Sequence, residues 1–142
     1  MNELRQKAIR LLARREHTRA ELTRKLAPHG TAEEIDTVLN ELAHSGLQSD
    51  ARFAESYVRS QVARLGAARL RQTLRTKGVA AELIDSQVAD LPDELARACA
   101  VWAKKFSAAP ADAHAWARQA RFLQGRGFSV EVIRKLLKDR AE

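Results

Sequence analysis

The chain has 142 residues, 45% of them apolar and 30% charged, with 25 Lys and Arg against 18 Asp and Glu and a net charge of +7. That length suits one ordinary domain and can bury a core unaided. Six glycines, three prolines and one cysteine, Cys99, exclude a collagen-like or low-complexity chain, a disulfide framework and a cysteine-rich zinc site. The longest apolar run, Ala98–Ala103, falls far short of the roughly 18 residues that a membrane span needs. No apolar segment follows the charged N-terminal residues, so no secretory signal and a cytoplasmic protein are expected.

In chain order, apolar residues recur at helical spacing nearly throughout: Ile9, Leu12 and Ala13, then Ile35, Val38, Leu39 and Leu42, and finally Ile133, Leu136 and Leu137. Thr18 with Glu21, and Thr31 with Glu34, fit capping boxes, while Asp50 and Ser129 fit simple N-caps. Gly30, Gly46, Gly66, Gly78 and Gly127 each follow an apolar-periodic stretch and are expected to end helices in the left-handed conformation; Pro92 and Pro110 mark other breaks. The expected helices are 2–15, 18–27, 31–44, 50–65, 67–77, 80–90, 93–107, 112–125 and 129–140. No stretch alternates long enough for a half-buried strand.

These nine helices fall into a repeat. Leu26, Leu74 and Leu123 each stand four residues before Gly30, Gly78 and Gly127, which are 48 and 49 residues apart. Ile35, Ile84 and Ile133 follow, then Leu39, Val88 and Leu137. A period of this length signals an array of like units. The expected fold is all-α: three tandem three-helix repeats, 1–46, 47–91 and 92–142, forming an elongated, curved, monomeric array.

No convergent set of polar groups suggests an enzyme. His17, His29, His44 and His114 lack metal-helix pairing and read as exposed or capping turn residues. Cys99 reads as a small core residue. Gly125-Arg126-Gly127 lacks the preceding strand of a phosphate loop and reads as a helix C-cap, with Phe128 folding back on the last turn. No catalytic, cofactor or metal site is therefore assigned. The glycine turns resemble a helix-turn-helix, but the helices after Gly30 and Gly78 are acidic and would be repelled by phosphates.

The charge is banded. Residues 31–50 and 81–96 carry acids and no Lys or Arg, whereas 51–80 and 101–142 are strongly basic. With Leu70 and Leu74 marking the core stripe of one helix and Trp116, Ala120 and Leu123 that of another, Arg69, Arg71, Arg75, Arg118 and Arg121 fall outside the core. The candidates for meeting an external partner or DNA are Arg59, Arg64, Arg69, Arg71, Arg75 and Lys77 in the first basic band, and Arg118, Arg121, Arg126 and Lys135 in the second.

The stretch from Asp50 through Phe53, Ala54, Tyr57 and Val58, followed by Gly66, Leu70, Leu74 and Lys77-Gly78, resembles the most characteristic segment of the RecX family. So do Arg15, Thr18, Glu21, Leu22, Lys25 and Leu26 in the first unit, and Phe122-Leu123, Arg126-Gly127-Phe128-Ser129 and Ile133 in the third. The turn at Gly30 lacks the basic residue just before the glycine, so no binding role is carried onto it. The resemblance implies a non-catalytic negative modulator of RecA that binds the RecA–DNA filament and inhibits its ATPase, recombination and co-protease activities. It also implies weak, sequence-independent DNA affinity. The second reading is a general DNA-binding protein that occludes the strand RecA would use.

Overall fold

A computed structural model describes residues 2–141; Met1 and Glu142, the outer ends of the expected first and third repeats, lie outside them. The described residues form nine α-helices and no strand: α1 (Asn2–Arg14), α2 (Arg19–Leu26), α3 (Ala32–His44), α4 (Asp50–Gln61), α5 (Ala67–Thr76), α6 (Ala81–Val88), α7 (Glu94–Lys105), α8 (Ala113–Gly125) and α9 (Val130–Ala141). A short 3-10 turn, Ala27–His29, links α2 to α3.

Local chemistry accounts for most boundaries. Thr18 and Thr31 both complete capping boxes with Glu21 and Glu34. Gly78 and Gly127 adopt φ of +87° and +92°, the left-handed region that a side chain disfavours. At both, paired backbone bonds close the helix end: Gly78 N to Arg75 O with Val79 N to Leu74 O, and Gly127 N to Gln124 O with Phe128 N to Leu123 O. Gly46 is also left-handed.

Several expectations fail, one for a local reason and the others for reasons of tertiary structure. Gly30 is extended, φ −171°, because Pro28 diverts the end of α2 into the 3-10 turn. Gly66 is not a left-handed cap either. It is buried, and a Cβ there would overlap the Gly127 carbonyl. Helix α4 stops at Gln61 rather than 65, and the Arg97 guanidinium takes the carbonyls of Val62 and Leu65 just beyond it, at 2.9 and 2.8 Å. Asp50 does not cap α4. Ser49 does, accepting from Arg52 N, while Asp50 accepts the Arg19 N–H at the start of α2.

Contacts divide the chain into two compact units, Met1–Tyr57 with Leu74–Ile84, and Val58–Thr73 with Asp85–Glu142. In the first, Leu4, Ala8, Leu22, Leu26, Ile35, Val38, Leu39 and Leu42 form the core. In the second, Ala98, Val101, Trp102, Leu123, Phe128, Ile133, Leu136 and Leu137 do so, with Cys99 packed at its margin. The Trp102 indole N–H donates to Gln119 at 2.7 Å, so the buried amide and indole satisfy each other.

Each unit contains the same joint. In the first, the turn at Gly78 seats against Ala20, the Thr18 hydroxyl donates to the Lys77 carbonyl, and the first N–H of α2 donates to Asp50. In the second, the turn at Gly127 seats against Arg69, the Gly66 N–H donates to the Arg126 carbonyl, and the first N–H of α5 donates to Glu94. A carboxylate and a glycine turn thus satisfy the open N-terminus of a middle helix in both places. Glu94 also accepts from Ser129 N, holding two helix N-termini with one side chain.

Candidate interaction surface

The joint in the first unit gathers an unusual density of charge. Glu21, 5% exposed, accepts from both guanidinium nitrogens of Arg15 (3.3 and 2.9 Å), from the Thr18 N–H and, at 3.4 Å, from Lys77. Burial alone would raise its carboxyl, but the Arg15 and Thr18 hydrogen bonds and the charges of Arg15 and Lys77 hold it at about 2. His17, expected at the surface, is buried. Its Nδ1 faces the Arg15 carbonyl and its Nε2 the Lys25 ammonium, both at 3.0 Å. Burial first, and then the nearby cations Arg15 and Lys25, lower its pKa, while its backbone bond and Glu21 pull the other way. An imidazole that accepts from an ammonium is neutral.

This geometry sorts the ten candidate bases. Lys77 is committed to Glu21. Arg71 pairs with Asp85 at 2.5 Å, Arg69 donates to the Gly125 carbonyl at 2.8 Å, and Arg126 lies 4.9 Å over the Phe122 ring. Arg59 is exposed but already has an interaction partner. These five already have partners within the chain. Arg64, Arg75, Arg118, Arg121 and Lys135 are exposed, and their side chains make no hydrogen bond or ion pair among the described residues. They remain available to an external anion.

The candidates do not include Lys7, Arg10 and Arg14 on α1, or Lys104, Arg134 and Lys138 in the second unit, although Arg134 and Lys138 make the last helix of the sequence visibly basic. None of the six makes an ion pair among the described residues, and all but the half-buried Lys7 are exposed. Lys7, Arg10 and Arg14 lie outside the two basic bands, whereas Lys104, Arg134 and Lys138 lie inside the second, 101–142, where charge alone did not separate them from their neighbours. Among the described residues there is no group of three His, Cys, Asp or Glu able to hold a metal ion, and no helix long and apolar enough to cross a membrane.

Family models described as the first, second and third three-helix domains of RecX match residues 5–42, 49–86 and 92–137. The chain is similar to Regulatory protein RecX of Leptothrix cholodnii, 47% identical over 95% of this chain and 87% of the relative. It is similar also to Regulatory protein RecX of Chromobacterium violaceum, 46% identical over 94% and 88%. In fold, it matches a crystal structure of RecX from Lactobacillus salivarius with a TM-score of 0.83 at 20% identity, covering 99% of this chain and 96% of that one.

Proposed function

Because the chain belongs to the RecX family and carries its three helical domains in order, we propose that it regulates RecA. In this reading it binds the RecA–DNA filament as a monomer in the cytoplasm, and it lowers ATP hydrolysis, recombination and repressor-cleavage stimulation without catalysing a reaction of its own. The repeats 1–46, 47–91 and 92–142 act as one binding array.

The observation that carries this reading beyond family membership is the set of exposed, unpaired bases Arg64, Arg75, Arg118, Arg121 and Lys135. They stand in sequence bands separated by the acidic helices α3 and α6. A protein–DNA filament offers both phosphates and protein charges of both signs. A surface banded in sign orients on such a target and speeds encounter. Phosphate contacts made by these arginines add sequence-independent DNA affinity.

The test is RecA ATPase on single-stranded DNA titrated with this protein at two salt concentrations, paired with capture of RecA in the absence of DNA. Inhibition that persists with DNA in excess, together with capture of DNA-free RecA, supports the regulator. The same unpaired cations also favour a second reading, occlusion of the DNA strand. Inhibition that disappears when DNA is in excess, with no capture of RecA, selects that one.

A further inference from the structure

His17 and Lys25 form a pair that the RecA reading leaves unused. The His17 side chain is 2% exposed, whereas Lys25 on α2 is exposed. The Lys25 Nζ lies 3.0 Å from Nε2 of the ring, and Nδ1 lies 3.0 Å from the Arg15 carbonyl oxygen. A carbonyl can only accept, so Nδ1 carries the ring proton and Nε2 turns its lone pair to the amine. Arg15, Lys25 and Glu21 are the charged groups that act on the ring; Gln48, which reaches the His17 carbonyl from the α3–α4 linker, is uncharged. Lys77, from the α5–α6 turn, meets Glu21. Burial and the two cations lower the imidazole pKa, so Nε2 is unprotonated near neutral pH. A nucleophile, a base and a group that orients the base stand here within hydrogen-bond reach of one another, the arrangement that activates a nucleophile.

We propose that Lys25 is a site of acylation by an anionic activated acyl donor, with His17 Nε2 as the proton acceptor. Lysine attacks as its neutral amine. Donating one N–H to Nε2 leaves the amine lone pair free to meet a carbonyl carbon. As the N–C bond forms, the donor's C–O bond, or C–S bond in a thioester, breaks, and phosphate or thiolate leaves with the electron pair. The surplus proton on nitrogen passes to Nε2, and the imidazolium then hands it to water. Arg24, exposed and without an ion pair among the described residues, offers a cation beside Lys25 for the donor's phosphate charge. Arg15 and Lys77 are committed to Glu21. The product amide keeps one N–H for Nε2, so acylation removes a charge without stranding the imidazole.

The experiment incubates the full chain with acetyl phosphate or with acetyl-coenzyme A and follows each lysine by mass spectrometry. Lys104 and Lys138, exposed and without ion pairs among the described residues, are the internal references. Circular dichroism checks the fold at every pH. At about pH 7.5 Lys25 is expected to react about tenfold faster than either reference, below the roughly 100-fold of an enclosed active site because the amine is exposed. Every lysine slows in acid as amines protonate, so the ratio of Lys25 to Lys104 isolates the imidazole. That ratio should fall toward one as the pH drops through the His17 value, which lies below 6.5. His17→Gln, polar but without a base, should bring Lys25 to the reference rate. If that variant does not fold, the wild-type ratio decides alone. The donor that shows the preference, acyl phosphate or thioester, is the source of the acyl group. Equal rates at the three lysines with both donors, or a ratio independent of pH in the folded protein, overturns the site. No RecA enters the measurement, so failure of the regulator reading leaves this result standing.

Discussion

The Thr18 hydroxyl donates to the Lys77 carbonyl at 2.7 Å, joining residues 59 positions apart, while accepting the Glu21 N–H of its own helix. One side chain therefore caps α2 and fastens the α5–α6 turn to it. Thr18→Val keeps the shape and strands both backbone partners. A lost N-cap costs about 1 kcal/mol and an unpaired buried carbonyl adds 1 or more, so about 2 kcal/mol is expected from denaturant unfolding. Thr31→Val, whose cap is exposed and local, should cost no more than about 1 kcal/mol.

The glycines separate two physical effects. Gly46 is left-handed with nothing near a substituted Cβ, so Gly46→Ala tests backbone strain alone. Gly66 is not left-handed, but its Cβ would strike the Gly127 backbone, so Gly66→Ala tests packing alone. Gly78 and Gly127 combine both, with Ala20 and Arg69 in the way. Gly46→Ala should cost about 1 kcal/mol. Gly127→Ala, which meets backbone as well as side chain, should show the largest fall in Tm of the four.

That contrast also marks what could be read from the sequence. Capping boxes, helix order and the Leu–Gly–Ile repeat depend on neighbours within about one turn of helix, and the pattern displays them directly. Gly66 looks like Gly78 in sequence, and only its contact with Gly127 distinguishes them. His17 looked like a turn histidine because the groups that bury it converge through the fold. Among them is Gln48, which donates to the His17 carbonyl from 31 residues away. Half of the candidate bases already have partners within the chain. Arg71 finds Asp85, and Lys77 finds Glu21, only after helices pack. A charge count cannot tell a paired arginine from a free one.

Acid should loosen the first joint in two stages. The neutral, buried His17 has its pKa lowered, so its contribution is present above the unfolded value near 6.5 and is lost as pH falls below it. Glu21 is held at about 2, against 4.5 unfolded, so its contribution is present above the unfolded value and lost between roughly pH 4.5 and 2. Glu21→Gln is expected to cost about 2 kcal/mol at pH 7 and to match wild type near pH 2. Urea unfolding of both proteins across this range checks it; parallel curves would refute the linkage.

Charge reversal tests the proposed filament contact, and the ion pairs dictate which residues to use. Arg71 is a poor choice because Arg71→Glu would place a carboxylate against Asp85 and disturb the fold. Arg75, Arg118 and Arg121 are exposed and unpaired among the described residues, so their reversal leaves packing unchanged. Arg75→Glu/Arg118→Glu/Arg121→Glu should weaken inhibition of RecA ATPase at least tenfold with little change in Tm, because an exposed arginine acts by attraction and at most a bidentate contact. Wild-type inhibition should itself fall as salt rises, since exposed charges are screened beyond about 8 Å at physiological ionic strength. The matched control is Glu82→Lys on the acidic helix α6, which spares the Arg71–Asp85 pair. If α6 faces acidic or neutral protein, the control leaves inhibition unchanged or weakens it. A DNA-occluding protein would instead gain, because a charge repelling phosphate has gone. Full inhibition by the arginine variant at every salt concentration would remove these three residues from the interface.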